Sequence, residues 1–267
     1  MSKSALLLLG LLLSVAGVVR AIWHRAGTHQ AYPSGQRLPL PSWLTWNMHT
    51  PLFLLGYAAI SMLLFWSVAD AWFFPSIWPE AVTWRAWTQA DWAPFWTTLW
   101  LATAVNLICL PVALLWLEWG PKHMNAALYL PLILPALPLV AGQYAALLHL
   151  GLDGTALALV WSHLLWVLPY MVLTLVGVYR NVDPRLLTTA RAMGCSRMGA
   201  CLRVKWPTLT RPILAALAAG FAVSVAQYLP TLFAGGGRFA TVTTEAVALS
   251  AGGNRRTLAV QALLQIA

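Results

Sequence analysis

The sequence predicts an all-α protein, a polytopic bundle of transmembrane helices with about six spans plus a partial last span. Three observations carry this expectation. The 267 residues are 60% hydrophobic and 9% charged, whereas a soluble domain carries about 25% charged residues. Apolar runs of roughly twenty residues, enough to cross about 30 Å of hydrocarbon as a helix, recur along the chain. Sixteen tryptophans suit the aromatic belts that form where spans leave the bilayer.

Residues 1–23 form the first expected span. Ala5 to Val19 is apolar but short, and Arg20 to Trp23 lengthen it, with Arg20 snorkelling to the interface. No clean small-x-small cleavage site follows and Lys3 is a weak basic start, which disfavours a signal peptide. Residues 24–50 read as a cytoplasmic linker, and its His24, His29 and His49 lack tight metal-ligand spacing. Pro51 to Phe74 is the next span. Residues 75–93 place Trp78, Trp84, Trp87 and Trp92 among Pro75, Pro79, Glu80 and Asp91, a pattern for a short amphipathic segment in the outer interface. Pro94 to Leu117 spans, and Glu118 to Asn125 is a tight turn with Lys122 and His123.

Ala126 to His149 returns across the bilayer. Pro131, Pro135 and Pro138 in its first half should kink it and free carbonyls for neighbouring helices to cover. A turn at Gly151 to Gly154 leads to a span from Thr155 to Tyr179. A basic loop at 180–211 follows, then a span from Pro212 to Ala234 and a polar, Gly-rich connector from Gly235 to Arg256. Thr257 to Ala267 begins an apolar run too short to cross, so the last span is expected to be truncated.

Net charge is +9. The basic residues concentrate in loops between apolar spans, which points to anionic lipid and the positive-inside rule rather than to nucleic acid. With residues 20–50, 118–125 and 180–211 inside, eleven of the sixteen Lys and Arg residues face the cytoplasm. The outer side then holds Lys3, Arg85, Arg238, Arg255 and Arg256. Cys109, Cys195 and Cys201 provide no disulfide framework and read as free thiols.

The most informative stretch is Asp183 to Pro207, DPRLLTTARAMGCSRMGACLRVKWP. Arg185, Arg191, Arg197, Arg203 and Lys205 lie in it, Arg180 and Arg211 flank it, and Asp183 is the one acid inside it. Asp183 suits a helix N-cap and Pro184 the first helical position. Leu186, Leu187, Ala190 and Met193 then recur at helical spacing. Gly194 fits a left-handed helix stop, Ser196 caps a second short helix, and Pro207 is expected to close it.

This stretch resembles the EAA loop of permease subunits in binding-protein-dependent ABC importers. That pattern runs Glu-Ala-Ala, three residues, Gly, nine residues, then Ile-x-Leu-Pro. Here Thr188, Thr189 and Ala190 are followed at that spacing by Gly194 and then by Val204, Lys205, Trp206 and Pro207. Thr188 and Thr189 stand where the pattern has Glu and Ala, and Val204 and Trp206 replace its Ile and Leu. The resemblance covers about residues 51–267 and extends to the fused thiamine- and ferric-type permeases and the YnjC-type.

The resemblance implies a type I ABC importer permease fold for 51–267, with the coupling loop at 180–211. It implies that residues 1–23 are the last span of a preceding half, joined by the 24–50 linker. It further implies a bacterial inner-membrane location and three kinds of partner: a cytoplasmic ABC ATPase dimer, an extracellular or periplasmic substrate-binding protein, and a second permease half, fused or separate. The residues it assigns to ATPase coupling are Asp183, Leu187, Thr188, Thr189, Ala190, Met193, Gly194, Val204 and Pro207. Leu187, Ala190 and Met193 would form the apolar face that enters the ATPase groove.

The chemistry absent from the sequence agrees. It has no GxxxxGK[ST] phosphate loop and no HExxH, GxSxG or clustered Cys/His set, so no catalytic residue, metal or cofactor is expected. Only Asp70 among the seven acids is expected near a span interior. Ion-coupled carriers need intramembrane carboxylates, so energy is expected from a partner ATPase. An ATP-independent carrier or a polytopic membrane enzyme is the alternative. Polar residues within spans should face other helices or a water-filled path. Asn106, Gln143, His163, Ser224 and Gln227 are the path candidates, Gln143 and Gln227 foremost, with His163 expected to pack.

Overall fold

Helices dominate because a long apolar run satisfies its backbone polar groups internally only as a helix. The computed structural model describes residues 42–70, 79–121, 125–252 and 255–266. The chain divides into two units, Met1–Tyr57 and Ala58–Ala267. The expected span at 1–23 lies outside the described residues, as does 24–41 of the linker. Helix α1, Ser42–Val68, begins inside the segment expected as linker. It ends at a two-residue antiparallel pair, β1 (Ala69–Asp70) with β2 (Ala81–Val82). The expected amphipathic segment is therefore a strand and a short helix α2, Arg85–Thr88, over its described part.

Among the described residues, the main core cluster lies between three helices. Helix α3, Ala93–Trp119, buries the row Leu101, Val105, Cys109 and Ala113. Helix α7, Ala156–Arg180, begins at Thr155, whose side chain accepts a hydrogen bond from the Ala158 N–H. It buries Leu159, His163, Val167, Met171, Leu175 and Tyr179. Helix α11, Thr210–Val225, buries Ala216, Gly220 and Ser224. Each row repeats every four residues, so the helices mesh along i±4 ridges. Lipid offers no hydrophobic drive between spans; small residues on α11 instead let backbones approach and gain van der Waals contact.

Proline decides where the other expected spans break. The 126–149 stretch splits into α4 (Asn125–Leu128), α5 (Leu130–Ile133) and α6 (Ala136–His149). Leu134, before Pro135, is forced into extended backbone at φ −72° and ψ 148°. The 212–234 span is likewise two helices, α11 and α12 (Leu229–Gly235). Pro230 sits in the first turn of α12; in a continuous helix its ring would meet the Ala226 carbonyl. Among the described residues, α3 and α7 are long and apolar enough to cross a membrane. A third crossing results if Arg197–Thr208 and Thr210–Val225, bent by 79°, count as one span.

The expected polar, Gly-rich connector at 235–256 contains a helix over 242–252. Helix α13, Val242–Gly252, starts from reciprocal bonds: Thr241 N–H to Thr244 Oγ1 at 2.8 Å and Thr244 N–H to Thr241 Oγ1 at 3.3 Å. Helix α14, Arg255–Ile266, packs Val260 and Leu264 against Val242 and Ala86. Arg256 pairs with Asp70, and Gln261 Nε2 donates to the Asp91 carbonyl at 3.0 Å.

Candidate functional site

The polar loop forms as its punctuation predicts through Ser196. Helix α8, Pro184–Ala192, is capped by Asp183, whose Oδ1 accepts from Arg185 N–H at 2.9 Å. It ends on Gly194 at φ +87°. Cys195 N–H reaches the Ala190 carbonyl at 3.1 Å and Gly194 N–H the Arg191 carbonyl at 3.0 Å, the paired bonds of a Schellman stop. Ser196 Oγ then caps α9, Arg197–Ala200. Beyond it the outcome differs from expectation. Pro207 does not close the second helix: a π-helical turn, Cys201–Lys205, runs into α10, Trp206–Thr208, with Pro207 in its first turn. The chain turns instead at Leu209, φ −97° and ψ 13°.

The expected apolar face is divided. Met193 is 81% exposed and Leu187 half-buried, whereas Ala190 turns inward and is buried. Thr188 and Thr189 are exposed, and Thr188 Oγ1 bonds the Pro184 carbonyl at 3.1 Å. Val204 is half-buried and Pro207 exposed. Leu186, Met198 and Leu202 are further exposed apolar side chains of the loop.

Asp183 is not the only acid that opposes the loop's charges, and Asp70 is not the only acid close to a span. Glu118, in the last turn of α3, lies under the loop. Its Oε2 accepts from Lys205 Nζ at 2.7 Å and from the Tyr179 hydroxyl at 2.9 Å. Arg197 Nη2 is 3.5 Å from Glu118 Oε1 and donates to the Glu118 carbonyl at 3.2 Å. Trp206 Nε1 donates to the Tyr179 hydroxyl at 3.2 Å, and Lys205 Nζ sits 3.8 Å from the Tyr179 ring centroid. The Lys205 and Glu118 side chains are 10% and 7% exposed, against 57% for Arg197. Burial, reinforced by the Glu118 carboxylate, raises the neighbouring Cys201 thiol above its ordinary range.

Of the path candidates, Asn106, His163 and Ser224 are buried between helices. His163 Nδ1 meets Ser224 Oγ at 3.0 Å and Nε2 meets Thr231 Oγ1 at 3.0 Å, so both ring nitrogens are satisfied by protein. Gln143 Oε1 accepts from Ser162 Oγ at 3.2 Å. Gln227 lines a cleft of about 350 Å³ at the α11–α12 break, with Trp166, Tyr170 and Tyr228. Non-helical backbone at membrane depth is tolerated where it lines a cavity. The sequence reading missed Glu118, Thr231 and Trp166; Pro230, one residue before Thr231, was the available signal for this break.

No protein-family model matches this chain. The inner membrane ABC transporter permease protein YnjC of Escherichia coli (strain K12) is 52% identical over 169 residues, covering 63% of this chain and 33% of the relative. The chain thus spans about a third of that relative's length. The resemblance to ABC transporter permeases is borne out by this likeness.

Proposed function

We propose that this chain is a transmembrane permease subunit of an ABC transporter in the bacterial inner membrane, acting in import. The observation that carries the reading is the 52% identity over 169 residues to an inner membrane ABC transporter permease. The helix–bend–helix of 183–207, at the inner end of two membrane-length helices, supports a cytoplasmic ATPase dimer as the partner of the loop. In this reading 51–267 is the permease domain, 24–50 the linker and 1–23 the last span of a preceding half. The site comprises Asp183, Leu187, Thr188, Thr189, Ala190, Met193, Gly194, Val204 and Pro207, to which the exposed Leu186, Met198 and Leu202 are added. An external binding protein delivers substrate, and Gln227 with its aromatic neighbours lies on the path. ATP hydrolysis belongs to the partner.

The test is reconstitution into proteoliposomes. The chain alone should give no ATP-driven uptake, and the ATPase should co-purify with the complete transporter. ATP-dependent accumulation by the isolated chain, or a complete transporter that binds no ATPase, overturns the reading.

A further inference from the structure

The Glu118–Lys205 pair is more than packing requires. An apolar pair of equal volume would avoid the desolvation of two ions, so this pair is weak evidence for stability, and the role it suits is fixing one arrangement of the loop. Here one carboxylate, in the last turn of α3, gathers groups from two other elements, Lys205 and Arg197 from the loop and Tyr179 from the last turn of α7, while the Glu118 carbonyl accepts a further bond from Arg197. The bond from Trp206 to Tyr179 ties the loop to α7 a second time. On one side of the tied segment is Gly194 at φ +87°, and on the other the 79° bend after Thr208. We propose that Glu118 is a positioning residue that locks segment 195–208 to the inner ends of α3 and α7, so that a push on the loop moves both helices as one body. Its geometry stands by itself; its purpose rests on the permease reading.

Two native thiols report on the lock, since Cys195 is partly exposed and Cys201 is buried. In inside-out membrane vesicles holding the full chain, an impermeant maleimide should label Cys195 and spare Cys201. Glu118→Gln keeps the shape and removes the charge, and labelling of Cys201 should rise about tenfold or more as local opening becomes easier. The exchange Glu118→Lys with Lys205→Glu, made together with Arg197→Gln so that the exchanged lysine faces no like charge, should return the protection, which a purely steric role would not. Cys109, buried in α3, should stay unlabelled; if Glu118→Gln exposes it or fails to accumulate, Lys205→Met replaces it as the deciding variant. Protection of Cys201 in the deciding variant, or no recovery in the exchange, overturns the proposal.

A second measurement addresses movement. With the cognate ATPase bound, spin labels on Cys195 and at Leu115→Cys, in a chain lacking the other two cysteines, should keep one narrow distance with and without ATP. Glu118→Gln should broaden it while the ATPase stays bound. A broad distance in the parent chain or an unchanged one in Glu118→Gln overturns the lock. A parent preparation that binds no ATPase instead counts against the permease reading and leaves the labelling result standing.

Discussion

A Cβ placed on Gly220 of α11 would lie 2.6 Å from Oδ1 of Asn106 on α3. It would also come within 2.9 Å of Met171 Cε and 3.2 Å of Val167 Cγ1 on α7. The three core helices thus meet where α11 has no side chain. Gly220→Ala should cost about 1–3 kcal/mol through overpacking, despite the alanine's better helix propensity. Gly142→Ala on α6, with nothing within 4 Å of the added carbon, is the control. Thermal unfolding in detergent should show a lower midpoint for Gly220→Ala alone, and Asn106→Ala should recover part of it. Equal midpoints for the two glycine variants would refute the packing described.

His163 offers a test of protonation. The Thr231 hydroxyl gives its one hydrogen to the Gln227 carbonyl at 2.7 Å, so toward His163 Nε2 it can only accept. Nε2 therefore carries the proton, and in the neutral ring Nδ1 accepts from Ser224. Nitrogen NMR of labelled histidine should report the Nε2–H tautomer. Ser224→Ala should cost only about 0.6 kcal/mol, the usual worth of an interhelical hydrogen bond in a membrane, and leave transport selectivity unchanged. An altered substrate preference would instead put Ser224 on the path.

What was legible in the sequence was local. Asp183, Pro184, Gly194 and Ser196 act within a few residues of themselves, so their caps and stop could be read in order. The core rows were not readable in this way: α3 exposes Leu107, Ile108, Val112 and Leu115 as well as burying Leu101, Val105 and Cys109, so apolar composition gives a span without its buried face. Breaks were harder, because a long apolar run hides them: Pro230 divides a stretch whose composition alone reads as one span. The 235–256 connector looked polar because Gly235 to Arg238 and Gly252 to Arg256 bracket it, which hid the helix over 242–252 between them. The Glu118–Lys205 pair joins residues 87 apart in sequence, and no local pattern could match them. Ala190 lay on a readable face, but which side of that face the protein itself would cover was a tertiary fact.

The orientation is testable by single cysteines in a background without the native three. Arg197 is exposed beside the Glu118 end of α3, expected inside from the positive-inside count, and Trp84 and Arg238 are exposed and expected outside. In intact cells an impermeant thiol reagent should label cysteines at 84 and 238 and spare the one at 197. Labelling of 197 without 238 would invert the topology and remove the loop from any cytoplasmic partner.

Gly194 tests the coupling assignment. Its φ of +87° closes α8, and nothing lies within 4 Å of a Cβ added there. Substitution is therefore penalised by backbone strain alone, about 1–2 kcal/mol for a left-handed residue and worse when the side chain is β-branched. Gly194→Val should relieve that strain by breaking the Schellman stop and redirecting α8 relative to the locked segment. The helices of the core do not depend on it, so the protein should insert and accumulate normally. The exposed Leu186 and Met193 would then be carried out of register with a partner's groove. A loss of about 1.4 kcal/mol in that contact weakens association tenfold. Gly194→Val should release the ATPase on purification and abolish uptake by the complete transporter, with Gly194→Ala intermediate. Full ATPase retention with normal uptake in Gly194→Val would mean that the geometry of α8 is immaterial to coupling.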